Sequence, residues 1–188
     1  MKSLIALACV PCCFFVFLPV SSAQTKLKRA APSPYDDADG YQVLSSIIDA
    51  RADKSKNEIV SIFHKTVPAE SISAIRSQCS SSFPSEFQGA LENFDKQTKT
   101  HFLLQQEFSI RKKYRLVDDR ISTHLAGIYS VSVVGFDEKK VRAIVLVQYL
   151  VRRNGSIALG GDSTFYLLRK TDKGWQEAAD IPKCGRIY

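Results

Sequence analysis

Apolar side chains recur along this 188-residue chain in two rhythms, and the change from one to the other about two-thirds of the way along it sets the fold class. Tyr41, Leu44, Ile47 and Ile48 are spaced by three and four, the repeat of one helix face, and predict a helix ending near Ala52. Ile59, Val60, Ile62 and Phe63 sit in a β-branched run from Glu58 to Val67 that stops at Pro68, which predicts a strand. Ser85-Glu86-Phe87-Gln88 has the spacing of a capping box and opens a second helix. Its apolar face is Phe87, Ala90, Leu91 and Phe94, and it fades near Thr98 to Thr100.

From Gly127 the period shortens to two. Gly127 to Phe136, Val141 to Leu150, Ser163 to Arg169 and Trp175 to Ala179 each read as a strand, with short polar connections of an antiparallel meander between them. In the second strand Val141, Ala143, Val145, Val147 and Tyr149 alternate with Arg142, Ile144, Leu146, Gln148 and Leu150. Both faces are apolar at mid-strand, so it belongs at the centre of a sheet covered on both sides. Trp175, beyond the Lys173-Gly174 turn, is expected to cap one end of that sheet. The expected architecture is α+β, with N-terminal helices packed on a C-terminal antiparallel meander. Phe102 to Val117 fits neither rhythm and reads as irregular with room for one short strand. Its Arg111, Lys112, Lys113 and Arg115 suit a solvated, charge-protected edge better than an anion site.

The first 23 residues follow a different plan. Lys2, an uncharged apolar run from Leu4 to Val20 containing Pro19, and then Ser21-Ser22-Ala23 have the layout of a secretory signal cut before Gln24. An uncleaved anchor is the alternative, because about 17 apolar residues reach the lower limit for spanning a bilayer. Residues 24–40, with Pro32, Pro34 and the acids Asp36, Asp37 and Asp39, read as a flexible leader to a single domain over 41–188. Cleavage would remove Cys9, Cys12 and Cys13 and leave Cys79 and Cys184. An even pair in an oxidising compartment predicts one disulfide, against the alternative of two separate buried thiols. Two cysteines fall short of a structural zinc site, so no metal and no cofactor are expected.

Formal net charge is +7 for the whole chain, and only Lys2 lies in the segment to be removed. The remaining excess favours anionic surfaces. Nucleic acid is a poor partner outside the cytoplasm, and no helix carries a dense basic stripe. Asp118, Asp119, Arg120 and His124 form the one cluster of acids, base and histidine. Either His124 acts as a general base oriented by Asp118 or Asp119, or these acids cap a helix start. His64 lies within a strand and reads as a packing or surface residue. Gly160-Gly161-Asp162 lacks the lysine and the helix of a phosphate loop and reads as a turn.

The segments SEFQGALENFDKQTK, FLLQQEF and YRL, followed by SVSVVGFDEKKVRAIVLVQYL and STFYLLRKTDKGWQE, resemble a family of uncharacterised secreted bacterial proteins. In that family a VGF strand and an ALVYV strand precede a cysteine- and glycine-rich loop and a final YVLLEKKDGKW hairpin. Val133 to Phe136, Ala143 to Val147 and Phe165 to Trp175 occupy these places, whereas the loop at 151–156 carries no cysteine. The resemblance implies export and this fold, and it implies no activity. A weaker analogy is to cystatin-like or nuclear-transport-factor-like domains. The expected function is a non-enzymatic secreted binding module of the bacterial envelope, with an envelope protein, an anionic polymer or a small apolar ligand as partner and no membrane span after cleavage. The alternatives are a small hydrolase or isomerase using His124 with Asp118 or Asp119, and a structural envelope component.

Overall fold

The computed structural model describes residues 32–54, 57–67, 69–77, 79, 83–118, 127–153, 156–180 and 184–187. In chain order these form β1 (Ser33–Pro34), α1 (Ala38–Ala52), β2 (Ile59–Phe63), α2 (Ala69–Arg76), a 3-10 turn (Ser85–Phe87) and α3 (Gln88–Gln97). There follow β3 (Phe102–Leu103), β4 (Lys113–Val117), β5 (Gly127–Val131), β6 (Gly135–Phe136), β7 (Arg142–Arg153), β8 (Ser156–Thr171), β9 (Gly174–Glu177) and β10 (Cys184–Ile187). The fold is α+β. The main sheet runs β10-β8-β7-β5-β2-β4, with β6 on β7 and β9 on β8.

The alternation in β7 determines how the layers stack. Ala143, Val145 and Val147 join Leu44, Ile47 and Ile48 of α1 in one core, together with Val60, Ile62, Tyr166, Leu168 and Trp175. Ile144 and Leu146 point the other way, into a second core with Ile72 and Ile75 of α2, Ala90, Leu91 and Phe94 of α3, and Phe165 and Leu167. Helices therefore cover both faces, as the two-sided apolar pattern requires. Trp175 closes the end of the first core against Phe136, their rings 5.4 Å apart.

The sheet is wider and more mixed than a meander. β2 lies between β5 and β4 and runs parallel to both, so two strands that precede Gly127 extend the sheet built by β5 to β10. The β7–β8 hairpin is also longer than expected, continuing to the pair Arg153 and Ser156. Gly160-Gly161-Asp162 consequently lies inside β8 and is not a turn. A Cβ on Gly161 would run into the Tyr149 carbonyl, so the glycine permits close approach of the two backbones.

Two local expectations need correcting. Residues 33–40, read as part of a flexible leader, are ordered: Ser33–Pro34 pairs with β3, and Tyr35 is buried against Tyr41 and Phe102. Asp37 accepts the Gly40 N–H at 3.3 Å and caps α1, so this acid belongs to the helix start. The capping box at Ser85 does not form, because Pro84 precedes a 3-10 turn and no side chain caps it. Helix α2 carries little sequence signal, since two buried isoleucines, Ile72 and Ile75, are too few to reveal a period.

Cys79, just past α2, is bonded to Cys184 at the start of β10, with Cα atoms 5.7 Å apart. The bond fastens the outermost C-terminal strand to the second core across 105 positions of sequence. Replacing both cysteines by serine is expected to lower the unfolding free energy in urea by about 5 kcal/mol, the scale of loop-closure entropy for such a span. A loss below about 1 kcal/mol would show that the bond does not constrain the unfolded chain.

Candidate functional site

Asp118 follows directly on β4 and is half-buried. His124 and Asp119 lie outside the described residues, so their grouping with Asp118 has no described geometry. His64 is described and serves the fold. Its backbone N–H donates to the Val117 carbonyl at 3.0 Å, and its ring Nδ1 lies 3.1 Å from the same oxygen. It closes the end of the β2–β4 pair.

The most concentrated chemistry gathers around Arg51, in the last turn of α1. Its guanidinium donates to the Tyr166 hydroxyl and to Asp162 Oδ1, both at 2.5 Å, and lies about 6 Å from the centres of the Tyr129 and Tyr166 rings. Tyr149 lies against Tyr129, with ring centres 4.9 Å apart. Burial alone would lower the Arg51 pKa, but Asp162 and Tyr166 together carry it above its usual value. Burial raises the Tyr129 phenol, and Arg51 opposes that rise. Every group named here faces another, and the adjoining cavity, bounded by Ala52, Gly127, Tyr129 and Tyr149, is about 10 Å³, room for one water. The cluster fastens α1 to β8. It went unread in the sequence because its members come from four distant elements. The available signal was Arg51 itself, which continues the Leu44, Ile47 and Ile48 stripe with a charge.

An open cleft of about 310 Å³ lies where α3 meets the β6–β7 turn. Asp137, Asn93 and Lys140 among its polar groups are engaged in building it. Asp137 accepts the N–H groups of Val141 and Arg142 at 2.8 and 3.1 Å, and Asn93 accepts from the Phe136 N–H at 3.1 Å. Lys140 donates to Asp39 at 2.9 Å.

The β4 edge is different. It ends the sheet, and its side chains separate by face. Tyr114 and Leu116 are half-buried against the α1-side core, and Lys113 and Arg115 are exposed on the other face. Arg115 Nε donates to Ser61 at 3.1 Å, and Ile59, opposite Lys113, is 45% exposed. The two preceding cations are fasteners. Lys112 Nζ donates to the carbonyls of Ala52 and Asn57 at 2.8 and 3.1 Å, satisfying an acceptor at the end of α1. Arg111 Nε donates to Asp49 at 2.6 Å, its backbone N–H donates to the same carboxylate at 3.0 Å, and a second guanidinium nitrogen meets Asp53. The edge is thus held from behind by Arg111 and Lys112, while Lys113 and Arg115 face outward. This is the charge-protected edge read from the sequence.

No protein-family model matches this chain, and neither curated proteins nor solved structures give a match.

Partial burial would raise the Asp49 carboxyl, but the hydrogen bonds from Arg111 hold it below the usual range. A depressed folded value means that the stabilisation is present above the unfolded pKa, near 3.9, and is lost as pH falls through the lower folded one. Arg111→Ala should therefore lower the melting temperature at pH 7, and the difference from the parent should close toward pH 2. A difference that persists undiminished at pH 2 would exclude Asp49 as its source.

Proposed function

We propose that this chain is an exported, non-enzymatic binding domain of the bacterial envelope that meets its partner along the β4 edge. The observation carrying the export half is the Cys79–Cys184 disulfide, a bond that persists in oxidising compartments. Among the described residues no helix is long and apolar enough to cross a membrane. The Lys2, Leu4–Val20 and Ser21-Ser22-Ala23 layout adds the route, a signal cut before Gln24. The binding half is supported by the outward cations Lys113 and Arg115 beside the exposed Ile59.

Among the three partner classes, an envelope protein or an anionic polymer suits that edge. A small apolar ligand has less support, since the described cavities are one water in size or open and lined by Asp37, Asp137, Glu138 and Lys140. The exported protein should begin at Gln24 by mass spectrometry and present two alkylatable thiols only after reduction. A photo-crosslinking residue replacing Lys113 in living cells should give a discrete adduct, and one replacing Lys173, in the β8–β9 turn, should give none. Recovery of the intact Met1 segment in the membrane fraction, or equal adducts at both positions, would contradict the proposal.

A further inference from the structure

We infer that β4 receives an extended segment of a partner protein as an added strand, and that the segment alternates acidic and apolar side chains. The inference rests on the reading of the β4 edge as the binding surface and specifies what that surface takes.

The backbone supplies the first half. β4 pairs with β2 in parallel, Val117 opposite Phe63, and the Val117 carbonyl accepts the His64 N–H at 3.0 Å. In a strand the backbone groups of successive residues point to opposite edges. Those of Lys113, Arg115 and Val117 therefore turn inward to β2, while the N–H and C=O groups of Tyr114 and Leu116 turn outward. Among the described residues no strand pairs with that outer edge. Outward amides at alternate residues are the template for strand addition.

The side chains supply the second half. An added strand would lie about 4.8 Å away, its side chains alternating between the two faces of the sheet. On one face they would lie beside Lys113 and Arg115, both exposed, and on the other beside Tyr114 and Leu116, half-buried with Phe108 and Ile110 nearby. Carboxylates match the first face and apolar side chains the second, so the complement is a two-residue repeat. A second copy of β4 is disfavoured, because its own Lys113 and Arg115 would lie across from these cations. A flexible polyanion would use the charges and leave the outward amides and the apolar face without partners.

The test uses the mature protein and a fluorescent octapeptide of alternating glutamate and valine, read by anisotropy. Two variants of the peptide carry the controls, one with the same composition in two blocks and one N-methylated on alternate residues. Both should bind at least about tenfold more weakly than the alternating form, and K113E/R115E should weaken that form by about tenfold while binding the lysine–valine counterpart instead. The exposure of both side chains lets this variant keep its fold, which circular dichroism checks. If the N-methylated or block peptide binds equally well, or if inorganic polyphosphate binds as tightly with the same dependence on Lys113 and Arg115, strand addition is overturned and the edge remains a charged surface. If no probe binds and position 113 yields no adduct, the binding surface itself is overturned with it.

Discussion

Strand β7 buries side chains on both of its faces, and the rest of the molecule is arranged to satisfy that demand. Each fully buried aliphatic side chain of this size stabilises the fold by about 1.5–3 kcal/mol relative to exposure, provided that both faces are covered. Ala143, Val145 and Val147 need α1, and Ile144 and Leu146 need α2 and α3. β8 repeats the pattern beside it, with Tyr166 and Leu168 on one side and Phe165 and Leu167 on the other. Gly135 is part of the same constraint. A Cβ there would come within 2.5 Å of the Ala90 carbonyl oxygen, so glycine lets α3 approach β6 and seal the second core.

Polar interactions then fasten what the core positions. Arg51 ties the end of α1 to β8 through Asp162 and Tyr166, Lys112 and Arg111 tie the approach to β4 onto the same helix end, and the disulfide ties β10 to the end of α2. These links lie at the margins of the sheet, where apolar contacts thin out. At the β4 margin the outward side chains Lys113 and Arg115 are charged, and among the described residues no strand lies beyond it.

What could be read in advance follows from how local each signal is. The faces of α1 and α3, the two-sided burial of Val141 to Leu150 and the capping position of Trp175 depend on spacing within one segment, and they were legible. The disulfide was legible once the three leading cysteines were set aside. Pairing order was not, because nothing within Ile59–Phe63 or Lys113–Val117 states that these strands lie side by side in parallel. The long β7–β8 hairpin was hidden by Gly160 and Gly161, which resemble turn residues although Gly161 makes room for Tyr149. Tyr35 was hidden by its acidic and proline-rich surroundings. The β4 edge was half legible: its charges pointed to an exposed margin, but the alternation of outward amides and a half-buried apolar face needed the register with β2.

The centre of the sheet is covered on both sides, and among the described residues no strand pairs with the outer side of its basic β4 margin. The most direct measurement is native-state hydrogen exchange of individual amides in the free mature protein. Ala143 to Val147 should exchange only through global unfolding, and in β4 Arg115 and Val117 should be protected while Tyr114 and Leu116 exchange at nearly the rate of an unfolded chain. Exchange of the β7 amides by a lower-energy opening, or protection of Tyr114 and Leu116 equal to that of Arg115, would contradict the account.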